Sequence, residues 1–298
     1  MRLVTRGDMD GLTCAVIISL YETIEDVLLV HPQEMADGQI EIGPNDIIAN
    51  LPYQPGCAMW FDHHQHTATV AAPVHGFTGD FGAAPSAAHL VYKYYGGKET
   101  MPYLEQLVAE TDRMDAADLT PSDVLMPQDF IKVGFTIDSR SGLGAFEGYF
   151  IELVNLFRAG TSIEEVLEHP EVAKRCKMLD DADASFQEAL ITHSKVDGNV
   201  VVTDFRDSEE VPRGNRFMVY ALFPEVNVSV RLQWGPGKAY TMMTIGHSIF
   251  NRTCNTDVGE LAARYGGGGV RGAGSIRLLD EDPNIEIQMV IHELKTNG

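Results

Sequence analysis

Two short runs of polar residues contain the ligand types of a divalent-metal site. Residues 60–64 (WFDHH) end an apolar stretch with one carboxylate and two imidazoles at consecutive positions. Residues 5–11 (TRGDMDG) contain two aspartates at i and i+2. Carboxylates combined with an imidazole suit manganese and similar metals better than calcium. Either run alone also fits an ordinary turn or a solvated loop, but together they favour a metal site.

A third acidic group, Asp112, Asp115 and Asp118, could complete this site. It follows a predicted helix that begins near Leu104, and each aspartate is three residues from the next. Neighbouring members therefore share one helical face, and the spacing does not select between Asp112 and Asp115. A solvated helix end would have the same spacing.

A glycine-rich segment forms a second candidate site. Six of the nine residues 266–274 (GGGGVRGAG) are glycine. Glycine lets backbone N–H groups approach a ligand closely, and anions are the usual ligand. The segment lacks the Gly-Lys-Ser/Thr ending of a P-loop, and it follows a predicted helix where a dinucleotide-binding turn would follow a strand. We expect an anion-binding loop, with a flexible hinge as the alternative.

The first half of the chain must position the metal ligands, and its strands alternate with helices. We predict strands at Arg2–Thr5, Asp26–His31, Asp46–Asn50 and Ala58–Phe61, and helices at Leu12–Tyr21, at Pro85–Tyr95 and within Phe146–Glu188. This alternation indicates an α/β fold with a mostly parallel sheet, in which polar residues at the strand ends meet at one edge.

The second half is predicted to form a smaller α/β domain. Its predicted strands are Asn199–Thr203, Arg216–Phe223, Val226–Leu232, Ala239–Ile245 and Ser275–Leu279, with a short helix at Thr256–Tyr265. The polar, turn-rich residues 193–198 are predicted to be a linker. We therefore expect domains at residues 1–192 and 199–298.

Composition and charge limit the class of protein. The chain has 298 residues, enough for two domains. No apolar stretch approaches the roughly 20 residues of a membrane span, and no signal peptide precedes the first strand, so we expect a cytoplasmic protein that does not bind a membrane. The four cysteines form no zinc-binding pattern and are expected to be reduced thiols.

The net charge of −21 is unevenly distributed. After Glu210 there are nine Lys or Arg and eight Asp or Glu, so residues 1–210 contain 13 basic and 35 acidic side chains. An acidic half that holds cations could complement an arginine-containing half around an anionic substrate, although arginines on solvated faces would give the same counts. The overall acidity argues against a long nucleic-acid track.

The order and spacing of these motifs resemble the DHH phosphoesterase superfamily with its associated C-terminal domain, which includes RecJ-type exonucleases, nanoRNase/pAp phosphatases and exopolyphosphatase-like proteins. The family's His-x-Asp-x-Asp-Gly motif falls on Arg6–Gly11, its Asp-His-His motif on residues 62–64, and its Gly-Gly-Gly-His motif on Gly267–Val270. Its second motif falls on Asn50 and its fourth on Asp115, or on Asp112 as the alternative. The resemblance covers nearly the whole chain and implies an active-site cleft between a parallel-sheet domain and a smaller α/β domain.

Three positions depart from the family pattern. Arg6 replaces a metal-binding histidine, Asn50 replaces the aspartate that bridges two metals, and Val270 replaces a substrate-handling histidine. Because two-metal hydrolysis needs both ions close together, loss of the bridge should weaken it or abolish it. The guanidinium of Arg6 could supply a fixed positive charge in place of one ion.

The resemblance implies roles for individual residues. One divalent ion per chain, Mn²⁺ or alternatively Mg²⁺, would be held by Asp10, His63 and Asp115 and weakly by Asp8, with Asn50 at the bridging position. Asp62 would orient an imidazole, and His64 would contact the phosphate or donate a proton. The substrate's far phosphate would bind Gly267, Gly268, Gly269 and Arg271, with Ser248 and Arg252 as further anchors.

Two functional classes follow. The first is a metal-dependent hydrolase of a small phosphorylated substrate, such as a short oligonucleotide, a pAp-like nucleotide or a short polyphosphate. The second is a catalytically lapsed member that binds a nucleotide or phosphorylated ligand as a sensor. Homodimer formation is left open.

Overall fold

The computed structural model of the chain describes residues 1–64, 76–138, 143–280 and 282–298. Two compact units are present. The first contains Met1–Asp118 and Pro127–Leu179, and the second contains Leu119–Met126 and Asp180–Gly298. No helix in the described ranges has both the length and the apolar character needed to cross a bilayer.

Strands and helices alternate from β1 to β3, as predicted, and a run of helices follows the last strand of the first unit. The elements up to His193 are β1 (Arg2–Thr5), α1 (Met9–Tyr21), β2 (Asp26–Leu29), α2 (Pro32–Ala36), β3 (Asp46–Ala49), β4 (Met59–Asp62), β5 (Gly79–Phe81), α3 (Ala87–Tyr94), α4 (Glu105–Asp115), α5 (Pro121–Leu125), α6 (Asp129–Thr136), α7 (Glu147–Arg158), α8 (Ile163–Glu168) and α9 (Pro170–His193). The strands form one sheet in the order β2-β1-β3-β4-β5, and every pair is parallel. The predicted α/β fold is confirmed.

Both faces of this sheet are buried, which explains why its strands are continuous apolar runs. Leu3, Ile47 and Phe61 face one core, which contains α1, α3 and α7. The alternate residues of the same strands, such as Val4 and Ile48, face a second, smaller core. The period-2 alternation of side chains along a strand divides each run between the two cores.

The carboxyl ends of β1 and β3 form the edge where ligands are expected. Strand β1 lies between β2 and β3 in the sheet, so the connections from β1 and from β3 run in opposite directions. Such a switch point opens a crevice at the carboxyl ends of the strands in α/β sheets. The turn from β1 into α1 is tight, because a Cβ at Gly11 would collide with the Arg6 carbonyl oxygen. Asp8 caps α1 by accepting a hydrogen bond from the Gly11 N–H at 3.0 Å.

The second unit contains a six-stranded mixed sheet in the order β10-β11-β9-β8-β7-β6. Its elements after α9 are β6 (Ser194–Asp197), β7 (Val200–Asp204), α10 (Met218–Leu222), β8 (Val228–Trp234), β9 (Thr241–His247), α11 (Val258–Arg264), β10 (Gly268–Val270), β11 (Ala273–Leu278) and α12 (Asn284–Asn297). Its core is formed by one face of the sheet together with α11 and α12.

Two predictions for the second half were wrong. Arg216–Phe223 was predicted as a strand, but Met218–Leu222 form helix α10, in which the hydroxyl of Tyr220 lies 2.8 Å from that of Ser229 on β8. A short apolar run has no period that separates a strand from a buried helix. The predicted linker contains strand β6, which forms a hairpin with β7 around Gly198 at a φ of 67°.

A partly buried ion pair joins β1 to β3 at the start of the sheet. Arg2 donates from Nε to Asp46 Oδ1 at 2.8 Å and from Nη2 to Oδ2 at 2.7 Å. Asp46 also accepts a hydrogen bond from the Gly43 N–H at 2.8 Å. Burial raises the pKa of Asp46, but the hydrogen bonds from Arg2 and Gly43 outweigh it and lower the pKa below the ordinary value.

We predict that Asp46→Asn lowers the free energy of unfolding by about 1–2 kcal/mol at pH 7. Because the folded-state pKa lies below the unfolded value of roughly 3.9, the pair stabilises the protein above that pH and loses its effect as the pH falls through the folded pKa. The difference between the two proteins should therefore shrink between pH 5 and pH 3 in urea titrations.

The control is Glu105→Gln, which breaks the exposed ion pair between Lys98 and Glu105 and should destabilise the protein much less than Asp46→Asn, because solvent screens exposed charges. A destabilisation by Asp46→Asn that is equal at pH 7 and pH 3 would contradict the proposed role of the ion pair.

Candidate active site

Three predicted metal ligands from three different elements meet at the carboxyl edge of the first sheet. Asp10 lies in the first turn of α1, His63 directly follows β4, and Asp115 ends α4. Each offers one ligand atom, and these atoms all lie within 4.8 Å of one another. His63 Nε2 is 3.1 Å from Asp115 Oδ2 and 3.8 Å from Asp10 Oδ2.

Asp10 is a buried carboxylate whose oxygens are held by backbone donors. Its side chain accepts hydrogen bonds from the N–H groups of Ala87 at 3.0 Å and Ala88 at 2.7 Å, at the start of α3. Burial, together with the negative charges of Asp115 and Asp8, raises the pKa of Asp10 well above its ordinary value. A cation between these groups would favour the ionised form.

The imidazole of His63 has a defined orientation. Nδ1 donates a hydrogen bond to the carbonyl oxygen of Ala84 at 3.1 Å, so Nε2 faces the carboxylates and is the nitrogen available to a metal. Burial alone would lower the pKa of His63, but the nearby Asp115 and Asp10 carboxylates outweigh it and raise the pKa to about 9. The same negative field would favour a bound cation.

Unpaired buried atoms at this edge test whether the residues fit a metal ion. Among the described residues, Asn50 Oδ1 and Asp62 Oδ2 are buried without a hydrogen-bond partner, and the ring nitrogen His63 Nε2 faces the carboxylates of Asp115 and Asp10. Buried polar atoms without a partner are rare in native proteins and call for an ion or ordered water. Two carboxylates and one imidazole are a ligand set that suits Mn²⁺. The cluster of Asp10, His63 and Asp115 therefore fits a divalent ion.

Arg6 and Asn50 lie around Asp8, at the position where the family holds its other metal. Asp8 Oδ1 accepts a hydrogen bond from Asn50 Nδ2 at 3.0 Å, and Asp8 Oδ2 lies 3.1 Å from Arg6 Nε. Asn50 is buried and has a φ of 57°, a left-handed conformation that asparagine tolerates better than most residues. Protein groups therefore engage both oxygens of Asp8, which supports the prediction of about one ion per chain.

Asp62 and His64 form a pair beside the metal cluster. The buried Asp62 accepts hydrogen bonds at Oδ1 from the His63 N–H at 2.9 Å and from His64 Nδ1 at 2.7 Å. The His64 side chain is 36% exposed, so its other nitrogen can reach a ligand. This geometry suits the orienting role predicted for Asp62 and the phosphate-contacting or proton-donating role predicted for His64, and both roles stay predictions.

The structure distinguishes the two candidate aspartates of α4. Asp112 accepts a hydrogen bond from Ser86 Oγ at 2.5 Å and lies 2.9 Å from His89 Nδ1, so it is engaged with the start of α3. Asp115, one turn later, faces His63. The metal-binding candidate is therefore Asp115, and Asp112 is a structural contact between two helices.

The glycine-rich segment is not the open loop that was predicted. Gly268–Val270 form strand β10, which pairs with β11 in an antiparallel hairpin. A Cβ at Gly267 would collide with the Ser275 carbonyl oxygen, and one at Gly269 with that of Ala273. These glycines allow two backbones to approach each other, because no side chain separates the strands.

Of the remaining candidate anchors, Ser248 lies near the turn of this hairpin. The N–H of His247 donates to the Gly272 carbonyl at 2.8 Å, which places Ser248 beside the turn. Ser248 Oγ accepts two backbone hydrogen bonds from the residues that follow it, at 3.0 and 3.2 Å. Arg252 Nε donates to the Ile249 carbonyl at 3.0 Å. Phosphate binding stays a prediction for Ser248, Arg252, Gly267, Gly268, Gly269 and Arg271.

Sequence analysis missed the backbone groups that complete the site. The Ala84 carbonyl and the N–H groups of Ala87 and Ala88 come from the segment between β5 and α3. Any residue type supplies such groups, so the sequence carries no signal for them.

We predict that the protein binds about one Mn²⁺ per chain and that His63→Ala lowers this affinity at least about 10-fold, because Nε2 is one of three clustered ligand atoms. Isothermal titration calorimetry and metal content after dialysis measure both quantities. His89→Ala, which removes an imidazole paired with Asp112, should leave Mn²⁺ binding unchanged. Two ions bound with equal affinity, or unchanged binding by His63→Ala, would contradict this assignment.

No protein-family model matches the chain, and no curated protein matches it. Solved structures do. The chain is 36% identical to a pGpG-specific phosphodiesterase, PggH of Vibrio cholerae, over 100% of this chain and 99% of that one, with a TM-score of 0.89. Two more distant structures share the fold. One is an exopolyphosphatase-related protein from Bacteroides fragilis, which is 14% identical over 99% of this chain and 91% of that chain, with a TM-score of 0.53. The other is RecJ from Thermus thermophilus in complex with Mn²⁺, which is 12% identical over 100% of this chain and 52% of that chain, with a TM-score of 0.53. With the motif order, this full-length similarity shows that the chain belongs to the DHH phosphoesterase superfamily.

Proposed function

We propose that this protein is a metal-dependent phosphodiesterase that cleaves a short 5′-phosphorylated dinucleotide of the pGpG type into mononucleotides. The observation that carries the proposal is the cluster of Asp10, His63 and Asp115 in a chain 36% identical over its full length to a pGpG-specific phosphodiesterase. The similarity supports phosphoesterase activity. The acidic composition suits a small substrate better than a long nucleic acid.

The cluster would hold the divalent ion through Asp10, His63 Nε2 and Asp115. When bound, such an ion polarises a phosphoryl oxygen and lowers the pKa of a coordinated water. The protein contributes the preorganisation: backbone donors hold Asp10, and the Ala84 carbonyl orients His63. Ligands that are fixed before substrate binds do not have to reorganise during the reaction.

His64 would move a proton at the reacting phosphate. Asp62 accepts a hydrogen bond from His64 Nδ1, so Nε2 is the nitrogen that faces outward from the pair. Cleavage of a phosphodiester leaves an alkoxide that needs a proton, and a positioned imidazolium can donate it. Arg6 adds a fixed positive charge beside Asp8, where it can attract the anionic substrate to this edge of the site.

One observation also favours the alternative of a catalytically lapsed protein that binds a nucleotide as a sensor. Asn50 stands at the position of the metal-bridging carboxylate and donates a hydrogen bond to Asp8. An amide adds no negative charge to attract a second ion, and without the second ion two-metal activation of water is lost. In this alternative the protein binds a nucleotide and does not hydrolyse it.

We expect the wild-type protein with Mn²⁺ to release mononucleotide from pGpG faster than it releases product from pAp, pyrophosphate or short polyphosphate, as measured by anion-exchange chromatography. Asp10→Asn should lower kcat/KM at least about 100-fold because it removes a ligand charge. His89→Ala should retain activity. Nucleotide binding without hydrolysis would favour the sensor, whereas neither binding nor hydrolysis would overturn both functions.

The double substitution Arg6→His with Asn50→Asp separates the two functions further. If the protein is a lapsed two-metal hydrolase, the change should add a second Mn²⁺ and raise phosphodiesterase activity. If Arg6 works in a one-metal mechanism, the same change should lower the natural activity. Mn²⁺ stoichiometry and kcat/KM for pGpG, measured on both proteins, decide between these outcomes.

A further inference from the structure

A cavity of about 290 Å³ lies at the carboxyl ends of β1 and β2, next to Asp8. Its lining includes Arg6, Gly7, Leu29, Pro32, Phe146 and Glu147. The volume is at the small end of the range for ligand sites in proteins, so it suits one nucleobase and not a dinucleotide. A base in this cavity would lie beside the Arg6–Asp8 pair, with its attached phosphate toward the metal cluster.

The walls of the cavity suit a flat aromatic ligand. Leu29, Pro32 and Phe146 supply apolar surface. Gly7 presents bare backbone, since a Cβ there would lie only 2.7 and 2.8 Å from two atoms of the Phe146 ring. Stacking of a base on apolar and aromatic groups stabilises it by about 1–3 kcal/mol but does not distinguish one base from another.

The polar part of the lining consists of Arg6, Asp8, His31, Asp138 and Glu147, and of these Arg6 and Glu147 would supply the selectivity that stacking lacks. Arg6 uses Nε to contact Asp8 at 3.1 Å, and within the described ranges its terminal guanidinium nitrogens have no partner. Glu147 is the first residue of α7 and is exposed, with no hydrogen bond or ion pair in those ranges. The cavity therefore offers a planar pair of donors and a carboxylate with two acceptor oxygens.

We infer that this cavity is a guanine subsite of the proposed phosphodiesterase. Arg6 would donate to guanine O6 and N7, the pairing its planar fork favours. Glu147 would accept from guanine N1–H and the N2 amino group. Adenine has an amino group in place of O6 and an unprotonated N1, so it would place a donor against Arg6 and a lone pair against Glu147. The inference rests on the proposed function, and it assigns base selectivity to this one cavity.

Nucleotide binding by the full chain with Mn²⁺ tests the subsite without requiring catalysis. We expect isothermal titration calorimetry to give a Kd for GMP about 10-fold or more below that for AMP. IMP, which keeps O6 and N1–H but lacks the N2 amino group, should fall between them. Glu147→Gln should remove most of the GMP preference. The control Glu164→Gln, which also changes a first-turn glutamate, should preserve it.

Equal Kd values for GMP and AMP, undetectable GMP binding, or an unchanged preference in Glu147→Gln would overturn the guanine subsite. The experiments can reject the guanine subsite and the phosphodiesterase activity independently of each other. A Glu147-dependent preference for GMP without hydrolysis of pGpG would retain the subsite and reject the phosphodiesterase. Equal hydrolysis of pGpG and pApA, with equal Kd values for GMP and AMP, would retain the phosphodiesterase and reject the subsite.

Discussion

The candidate site depends on the burial of one carboxylate, that of Asp10. Moving a carboxylate out of water costs several kcal/mol unless other groups compensate. Here the compensation comes from two backbone N–H groups at the start of α3, where the helix dipole also favours negative charge. Asp115 and Asp8 add negative charge that α3 does not balance. A divalent cation bound at the cluster would neutralise this remaining negative charge. Ion binding would therefore stabilise the folded arrangement of the carboxylates.

This requirement explains why the helices around Asp10 are tied together by buried polar contacts. The hydroxyls of Thr13 on α1 and Thr111 on α4 lie 2.7 Å apart and are buried. Thr13 is one turn from Asp10, and Thr111 is one turn from Asp115. The contact therefore fixes the two helices in the register that brings their carboxylates together. The hydrogen bond from Ser86 to Asp112 positions α3 against α4 in the same way, so buried or part-buried polar contacts tie α1, α3 and α4 together near Asp10 and Asp115.

Around Asp8 the chain has fixed protein groups where the family resemblance implies a second metal ion. Arg6 contacts one oxygen of Asp8, and Asn50 donates a hydrogen bond to the other. A guanidinium is permanently charged and does not dissociate, but it cannot activate a water molecule as a metal does. In exchange, its terminal nitrogens can act as directional donors toward a neighbouring ligand. In the proposed function, this part of the site would therefore bind a substrate group, whereas the family resemblance implies a metal ion here.

Much of the fold and of the metal cluster could be predicted from the sequence alone. Apolar runs alternating with helical segments predicted the parallel sheet, because strands buried on both faces must be continuously apolar. The motifs at residues 8–11 and 62–64 predicted where ligands leave that sheet, since polar residues follow the strand ends. The tertiary structure decided the choice between Asp112 and Asp115. The two aspartates are one turn apart on the same helical face, so their spacing favours neither. Their neighbours distinguish them, because Asp112 contacts Ser86 and Asp115 contacts His63.

Other features were decided by contacts between segments that are distant in sequence. Residues 218–222 form a helix, although a short apolar run fits a strand equally well. The glycines at 267 and 269 allow a close hairpin, which composition could not separate from an anion-binding loop. The cavity next to Asp8 joins residues 6, 29, 32 and 147, which no local pattern connects. Local periodicity therefore indicated the long buried strands, but not the short strands β5, β6 and β10. The ligand environment was decided by long-range packing, because it depends on which side chains the folded chain brings together.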